Sequence, residues 1–426
     1  MIIAGRLVNP DGVTPGQIRV EGEQIVEVGR RLGRADVEFG DDCLVFAGMG
    51  DIHIHARDDV SEQEIHKEDF RTAAAAAIHG GVVHVADMPN NPAAPIDDAS
   101  YAAKQRHLES RHVPITVTLY AGIGPDTRPL SFAVPYKVYM GPSVGDLFFT
   151  TLDQLDQTLS RYRGCSVSFH CEDPILLNAN RHEPTHERRR PPACEVSATQ
   201  FALAMIEKYD LTGKLCHYSV GEGLPLIRAA RRRGLKVTCE VTPHHLFFDE
   251  TQITADNRGR MQMNPPLRGP SDRTALLDAL RDGTLDYLAT DHAPHTLAEK
   301  ENRAKCLSGQ PHLDTYGPFV TWLIVEQGFT PERIAEVCCA NPGDFVNPYT
   351  VNPYTVNPYT RTLQTVPLKF GRIEPGYTAS LSVLNLARPC TVRREDLKTK
   401  CGWSPFEGLT FPGSVEAVFL RGRRAL

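Results

Sequence analysis

Gly50-Asp51-Ile52-His53-Ile54-His55-Ala56-Arg57 closes an apolar run that opens at Cys43. A short apolar run of this kind reads as a buried strand. Every second side chain on a strand points the same way, which aims His53 and His55 together and sets Arg57 beside them as a fixed cation. Two imidazoles aimed together at a strand end can grip one metal ion. The plainer reading is a pair of half-buried strand histidines, and only further ligands elsewhere in the chain separate the two.

The neighbouring sequence repeats the strand pattern. After Leu44–His55 come Val82–Pro89, Ile115–Gly122, Tyr136–Gly141, Cys165–Glu172, Lys214–Val220, Lys236–Pro243 and Tyr287–Pro294. Helix-like stretches such as Phe70–His79 and Glu195–Tyr209 separate most of them. Eight strands alternating with helices over roughly 250 to 300 residues describe an α/β fold of the (β/α)8 TIM-barrel type. An open doubly wound sheet is the alternative, but no glycine-rich phosphate fingerprint follows the first strand.

The two ends read differently. Residues 1–42 alternate short strands with turn signals such as Asn9-Pro10-Asp11-Gly12, and the tail from Arg372 does the same. The expected organisation is a small composite β-domain built from both chain ends (1–45 and 361–426), a barrel over 46–345, and a repeat loop over 346–360. That loop is Val346-Asn-Pro-Tyr-Thr followed by two more perfect copies, ending at Thr360. So short a period, with a proline in each unit, cannot bury a repeating core, so a turn-rich surface loop is expected.

Bulk properties narrow the function classes. A chain of 426 residues exceeds one small core, and 41% hydrophobic with 23% charged residues is the balance of a soluble globular enzyme. A net charge of −6 argues against a nucleic-acid or anionic-membrane surface. The triplets Arg188-Arg189-Arg190 and Arg231-Arg232-Arg233 read as solvated loop and helix-end charge. There is no apolar run of the ~18 residues that a spanning helix needs, and Met1–Gly12 has no basic segment leading into an apolar one, so a cytoplasmic protein is expected. The 11 cysteines are odd in number and lack paired C-x-x-C spacing, and several, such as Cys165, Cys216 and Cys239, sit in apolar runs. Buried free thiols are expected, with none assigned to a disulfide or a metal.

Placed on these strands, the polar residues gather at the C-terminal ends, where barrel active sites form. They are His53 and His55 on the first strand, Lys137 on the fourth, His170 on the fifth, His217 on the sixth and Asp291 on the eighth. Each has a plain alternative: a snorkelling lysine, hydrogen-bonded core histidines, a helix-capping aspartate. Jointly, on five strands at one rim, they point to a metal centre. Histidine nitrogen with carboxylate oxygen and no thiolate suits zinc or another borderline divalent ion. An ammonium cannot ligate, but a lysine carboxylated by CO2 is an anionic two-oxygen ligand able to bridge two ions. His53 and His55 would then hold one Zn2+, His170 and His217 the other, with carboxylated Lys137 between; such a pair shares a hydroxide of lowered pKa.

The chain resembles the amidohydrolase superfamily and, within it, the dihydroorotases. The matching segments are Gly50–Arg57, Met88-Pro-Asn-Asn-Pro92, Lys137-Val-Tyr-Met-Gly, His170-Cys-Glu-Asp, Thr242-Pro-His-His-Leu, Asn264-Pro-Pro-Leu-Arg268 and Ala289-Thr-Asp-His-Ala-Pro-His295. The resemblance implies metal ligation by His53, His55, Lys137, His170, His217 and Asp291, with Asp291 also shuttling the proton. It implies reversible hydrolysis of L-dihydroorotate to N-carbamoyl-L-aspartate by a metal-bridging hydroxide, in pyrimidine biosynthesis. Arg57, Asn90 and His295 would hold the substrate carboxylate, Arg57 bidentately, with Asn264 a further pocket residue. The expected partners are a small-molecule substrate, a second copy of the chain in a homodimer, and an enzyme of the same pathway.

Departures and rivals remain. Where the family shows a glycine-rich run after the last histidine, this chain reads Ser308-Gly-Gln-Pro-His-Leu-Asp-Thr-Tyr-Gly317, which puts backbone contacts to substrate there in question. His244 and His245 are read as structural because six ligands already fill the set. A hydantoinase or dihydropyrimidinase would share the metals but lacks the arginine two residues after the second histidine, and allantoinase is a weaker rival on the same ground. A non-catalytic scaffold subunit is the rival from another class, and the retained ligands count against it.

Overall fold

The computed structural model describes the chain except residues 142–146, 303, 358 and 361. Two kinds of sheet organise it. Strands from both chain ends share one sheet: Ile2–Asn9 pairs antiparallel with Gly12–Glu21 and parallel with Cys43–Ala47. Cys43–Ala47 pairs antiparallel with Leu381–Asn385, which pairs with Ser414–Leu420.

The strands from Met49 to Leu288 run parallel in chain order, and a short antiparallel pair, Cys390–Thr391 with Thr410–Phe411, stands apart. Met49–Ile54, Val82–Asp87 and Thr116–Leu119 form one set. Ala121–Ile123, Tyr136–Tyr139, Ser166–His170, Thr212–Leu215, Val237–Val241 and Tyr287–Leu288 form the next. A parallel bridge between Ile54 and His292 brings the end of the last segment beside the first, and the His55 amide donates to the His292 carbonyl at 2.8 Å. Strands such as Val82–Asp87 are buried along their whole length, as parallel strands covered on both faces must be.

The expected strand Leu44–His55 is two strands in different sheets. The break is Gly48, whose amide donates to the Ser380 carbonyl at 2.7 Å. A Cβ there would lie 2.2 Å from Val83 Cγ2, so only glycine lets the backbone step from one sheet to the other. Ile115–Gly122 is likewise interrupted, at Tyr120. The expected strands Lys214–Val220 and Tyr287–Pro294 stop early, at Leu215 and Leu288. Downstream of each stop, His217 and Asp291 adopt φ of 36° and 47°, a left-handed conformation that cannot continue a β ladder.

The helices follow local chemistry. Phe70–His79 spans the expected residues; Asp69 caps it by accepting from the Arg71 and Thr72 amides, and Phe70, Ala73, Ala74, Ala76 and Ala77 face the core. Pro192–Tyr209 starts at Pro192 rather than Glu195, because proline's fixed φ and missing N–H suit the first helical turn. The first copy of the repeat does not behave as a loop: fully buried Val346 ends the helix Asn341–Val346. Turns and an isolated antiparallel bridge from Val356 to Leu363 follow in the later copies, where Pro358 lies outside the described residues. All 11 cysteines are free. Among the described residues no helix is long and apolar enough to cross a membrane.

Candidate active site

Two buried carboxylates, Asp51 and Glu240, place the catalytic-looking groups. Asp51, one position into the Gly50–Arg57 stretch, accepts from the His53 amide at 3.2 Å and the Thr290 amide at 3.1 Å, locking the first strand to the segment that carries Asp291. Burial pushes Asp51 up to about 7. Glu240, the penultimate residue of Val237–Val241, accepts from the His217 amide at 3.0 Å, which fixes the left-handed turn that turns His217 inward. The same carboxylate bonds His53 Nδ1 and the Lys214 ammonium, all three groups being buried.

His53 Nε2 and His55 Nε2 meet one oxygen of Asp291 at 3.2 and 3.0 Å. On the other side His170 Nδ1 and His217 Nε2 lie 2.8 Å apart, while His170 Nε2 contacts Glu172 at 2.7 Å. The His53 and His217 rings are 5.3 Å apart, so the two pairs adjoin, and ligand atoms of His53, His217 and Asp291 lie within 4.8 Å of one another. Burial holds His53, His55 and His217 well below the ordinary imidazole value, helped by the charge of Lys137. They are neutral at neutral pH, with lone pairs free to bind a cation. Burial pushes Asp291 up to about 7, opposed by the Lys137 charge.

A cavity of about 270 Å³ opens over this cluster, lined by every residue proposed from the sequence except Lys137, which is buried beneath it. Arg57 enters with φ of 57°; its Nη2 approaches His295 Nε2 at 3.4 Å and its Nη1 has no hydrogen-bond partner. Asn90 Oδ1 lies 2.8 Å from His55 Nδ1, and the buried Asn264 Oδ1 is unpartnered. Ser308 and Gly309, from the segment that departs from the family pattern, do reach the cavity wall, as do Cys306 and Leu307. His244 and His245 stay outside it, bonded to His312 at 3.0 Å and Thr242 at 2.8 Å.

The sequence reading missed Glu240, Lys214 and Tyr139. The signal for the first was an acidic residue inside an apolar strand, Val237-Thr-Cys-Glu-Val241, since a buried charge needs a partner. Cys216, assigned no metal role, has its Sγ within 4.8 Å of ligand atoms of His53 and Glu240. Burial pushes that thiol up to about 11, leaving it a neutral group.

No protein-family model matches the chain. A dihydroorotase from Macrococcus caseolyticus is 29% identical, covering 100% of this chain and 98% of its own. A dihydroorotase from Pediococcus pentosaceus is 31% identical over 98% of this chain and 93% of its own. The chain belongs to the dihydroorotase family. Among solved structures, the L-hydantoinase (dihydropyrimidinase) from Arthrobacter aurescens shares the fold at a TM-score of 0.84, with 23% identity over 99% of this chain and 95% of that one. Dihydropyrimidinase from Brevibacillus agri gives 0.82 at 20% identity over 100% and 94%.

For this dihydroorotase-family site, the donor set fits divalent metal. Lys137 Nζ is enclosed and bonded to nothing, as is His217 Nδ1. A buried polar atom left without a partner is costly, so such atoms mark where another group belongs. Neutral imidazoles and a carboxylate converging beside that amine make a donor set that suits a metal site.

Proposed function

We propose that the protein is a dihydroorotase, interconverting L-dihydroorotate and N-carbamoyl-L-aspartate in pyrimidine biosynthesis, on parallel strands closed into a (β/α)8 barrel. The observation that carries this reading is Arg57: a buried guanidinium with an unpartnered Nη1 beside Asn90 and His295, facing the same cavity as the histidine cluster. Glu64 Oε2 offsets part of the guanidinium's charge from 4.0 Å, yet Nη1 makes no hydrogen bond to it; a substrate carboxylate would supply that bond, which a neutral ring could not.

Two zinc or similar ions held by His53, His55, carboxylated Lys137, His170, His217 and Asp291 would supply a hydroxide nucleophile and polarise the ring amide. Arg57, Asn90 and His295 bind the substrate carboxylate and thereby fix which carbonyl faces Asp291. In the hydrolytic direction a C–O bond forms at the ring carbonyl carbon and the C–N bond breaks. The nucleophile's proton passes through the Asp291 carboxylate to the departing nitrogen, a role supported by a position in contact with both His53 and His55. Glu240 holds His53 by Nδ1, which leaves Nε2 as the ligating nitrogen.

Assay of zinc- and bicarbonate-supplied protein on dihydroorotate, hydantoin, dihydrouracil and allantoin side by side tests the reading. The highest kcat/KM is expected on dihydroorotate. A preference for hydantoin or dihydrouracil would transfer the chain to the neighbouring activity, and far less than one metal ion per chain would favour a scaffold.

A further inference from the structure

We propose that Tyr139 is a further catalytic residue, whose hydroxyl donates a hydrogen bond to the ring carbonyl oxygen as that oxygen gains negative charge. The inference rests on the cyclic-amide hydrolysis proposed above.

Tyr139 ends the strand Tyr136–Tyr139, two positions after Lys137, so the strand's period of two aims both side chains inward. Lys137 Nζ stands 5.2 Å from the centre of the Tyr139 ring, and the His170 ring lies 6.1 Å away. The tyrosine therefore sits on the metal-ligand side of the cavity it lines. Its hydroxyl is buried and has no hydrogen-bond partner among the described residues. Other buried tyrosines here do not share that state. The hydroxyls of Tyr101, Tyr120 and Tyr316 donate to backbone carbonyls, and those of Tyr162 and Tyr218 pair with Thr127 and Thr199.

A phenol without a partner, at the wall of a reaction cavity, is placed for an acceptor that arrives with the substrate. Three acceptors come with this one, the carboxylate and two ring carbonyls, and of the carbonyls only the one that is attacked gains negative charge. The carboxylate already has Arg57, Asn90 and His295, whereas among the described residues no other uncharged side-chain O–H lines the cavity except that of Ser308. A fixed donor aimed at developing charge lowers the barrier because it needs no reorientation during the reaction.

Tyr139→Phe in zinc-loaded protein should lower kcat roughly a hundredfold, with KM and zinc content within about twofold of wild type. A kcat within about threefold of wild type overturns the proposal. So does lost zinc, which marks a structural role, or a raised KM at unchanged kcat, which marks a carboxylate contact. Running hydantoin in parallel keeps the two readings apart: wild type that opens hydantoin but not dihydroorotate refutes the substrate assignment, yet Tyr139→Phe must still slow hydantoin opening. A readout independent of turnover is calorimetric binding of a cyclic phosphinate analogue of the ring, whose charged oxygen stands at the carbonyl position. Wild type should bind it roughly tenfold or more tightly than Tyr139→Phe, and equal affinities overturn the assignment.

Discussion

Three residues of the site, Arg57, His217 and Asp291, hold left-handed backbone that non-glycine residues rarely adopt. Each such residue costs of order 1–3 kcal/mol and persists only where surrounding bonds dictate it. Here the Glu240 carboxylate and the Asp51 tether do so. Arg57 yields the sharpest residue-level prediction. Arg57→Met should cut kcat/KM for dihydroorotate roughly a hundredfold, the loss of a charge-assisted pair worth about 3 kcal/mol, while hydantoin turnover changes little. Parallel kinetics on both substrates check it, and an unchanged preference would refute the carboxylate argument. His53 and His55 were readable as a pair from strand period, but the strand ends at Ile54, before Arg57 and the other left-handed residues. That left-handed backbone was not legible, since long-range bonds rather than residue type impose it at these three positions. Glu240 escaped notice because its partners, Lys214 and His53, are distant in sequence.

At the scale of elements, the cavity wall at 306–309 is pinned by the short helix Leu297–Glu301. Lys300 from that helix donates to the carbonyls of Gln262 and Leu307, both at 2.7 Å. Burial pulls its amine down to about 7 from the ordinary 10.5. Between those values the unfolded chain binds a proton that the folded chain does not, so this group's contribution to stability rises with pH from about 7 toward 10.5. The melting-temperature advantage of wild type over Lys300→Met should therefore be larger at pH 9 than at pH 6.5, by thermal unfolding at both. A constant gap would mean that the amine titrates normally. Element types were readable from apolar periodicity, and Phe70–His79 came out whole. The change of sheet at Gly48 was not, because an unbroken apolar run looks the same whether its pairing partner changes or not.

At the scale of the whole molecule, the repeat copies differ in what they touch. Val346 of the first packs with Tyr120, Tyr287 and Phe370. In the later copies Tyr354 meets Phe132 with ring centres 5.6 Å apart, Asn357 donates to Glu23, and Tyr359 lies 4.6 Å from the Arg423 guanidinium. The Glu23 and Arg423 contacts join the repeat to the terminal sheet, while Phe132 lies between the strands Ala121–Ile123 and Tyr136–Tyr139, and none of these partners lines the cavity over the histidine cluster. Deleting 351–360 should leave kcat within about twofold and lower the melting temperature by a few degrees, about 1 kcal/mol. A collapse of turnover or a change of mass in solution would show the repeat to be functional.

The sheet shared by both chain ends also sets a schedule for synthesis. Met49 and Ser382 are hydrogen-bonded across 333 residues, and at roughly 5–20 residues per second a ribosome needs on the order of twenty seconds to a minute to make that stretch. Throughout that interval the apolar strand Cys43–Ala47 keeps one edge without its eventual neighbour, Leu381–Asn385. Yield in a cell is thus governed by how well that waiting edge is shielded, whatever the stability of the finished fold.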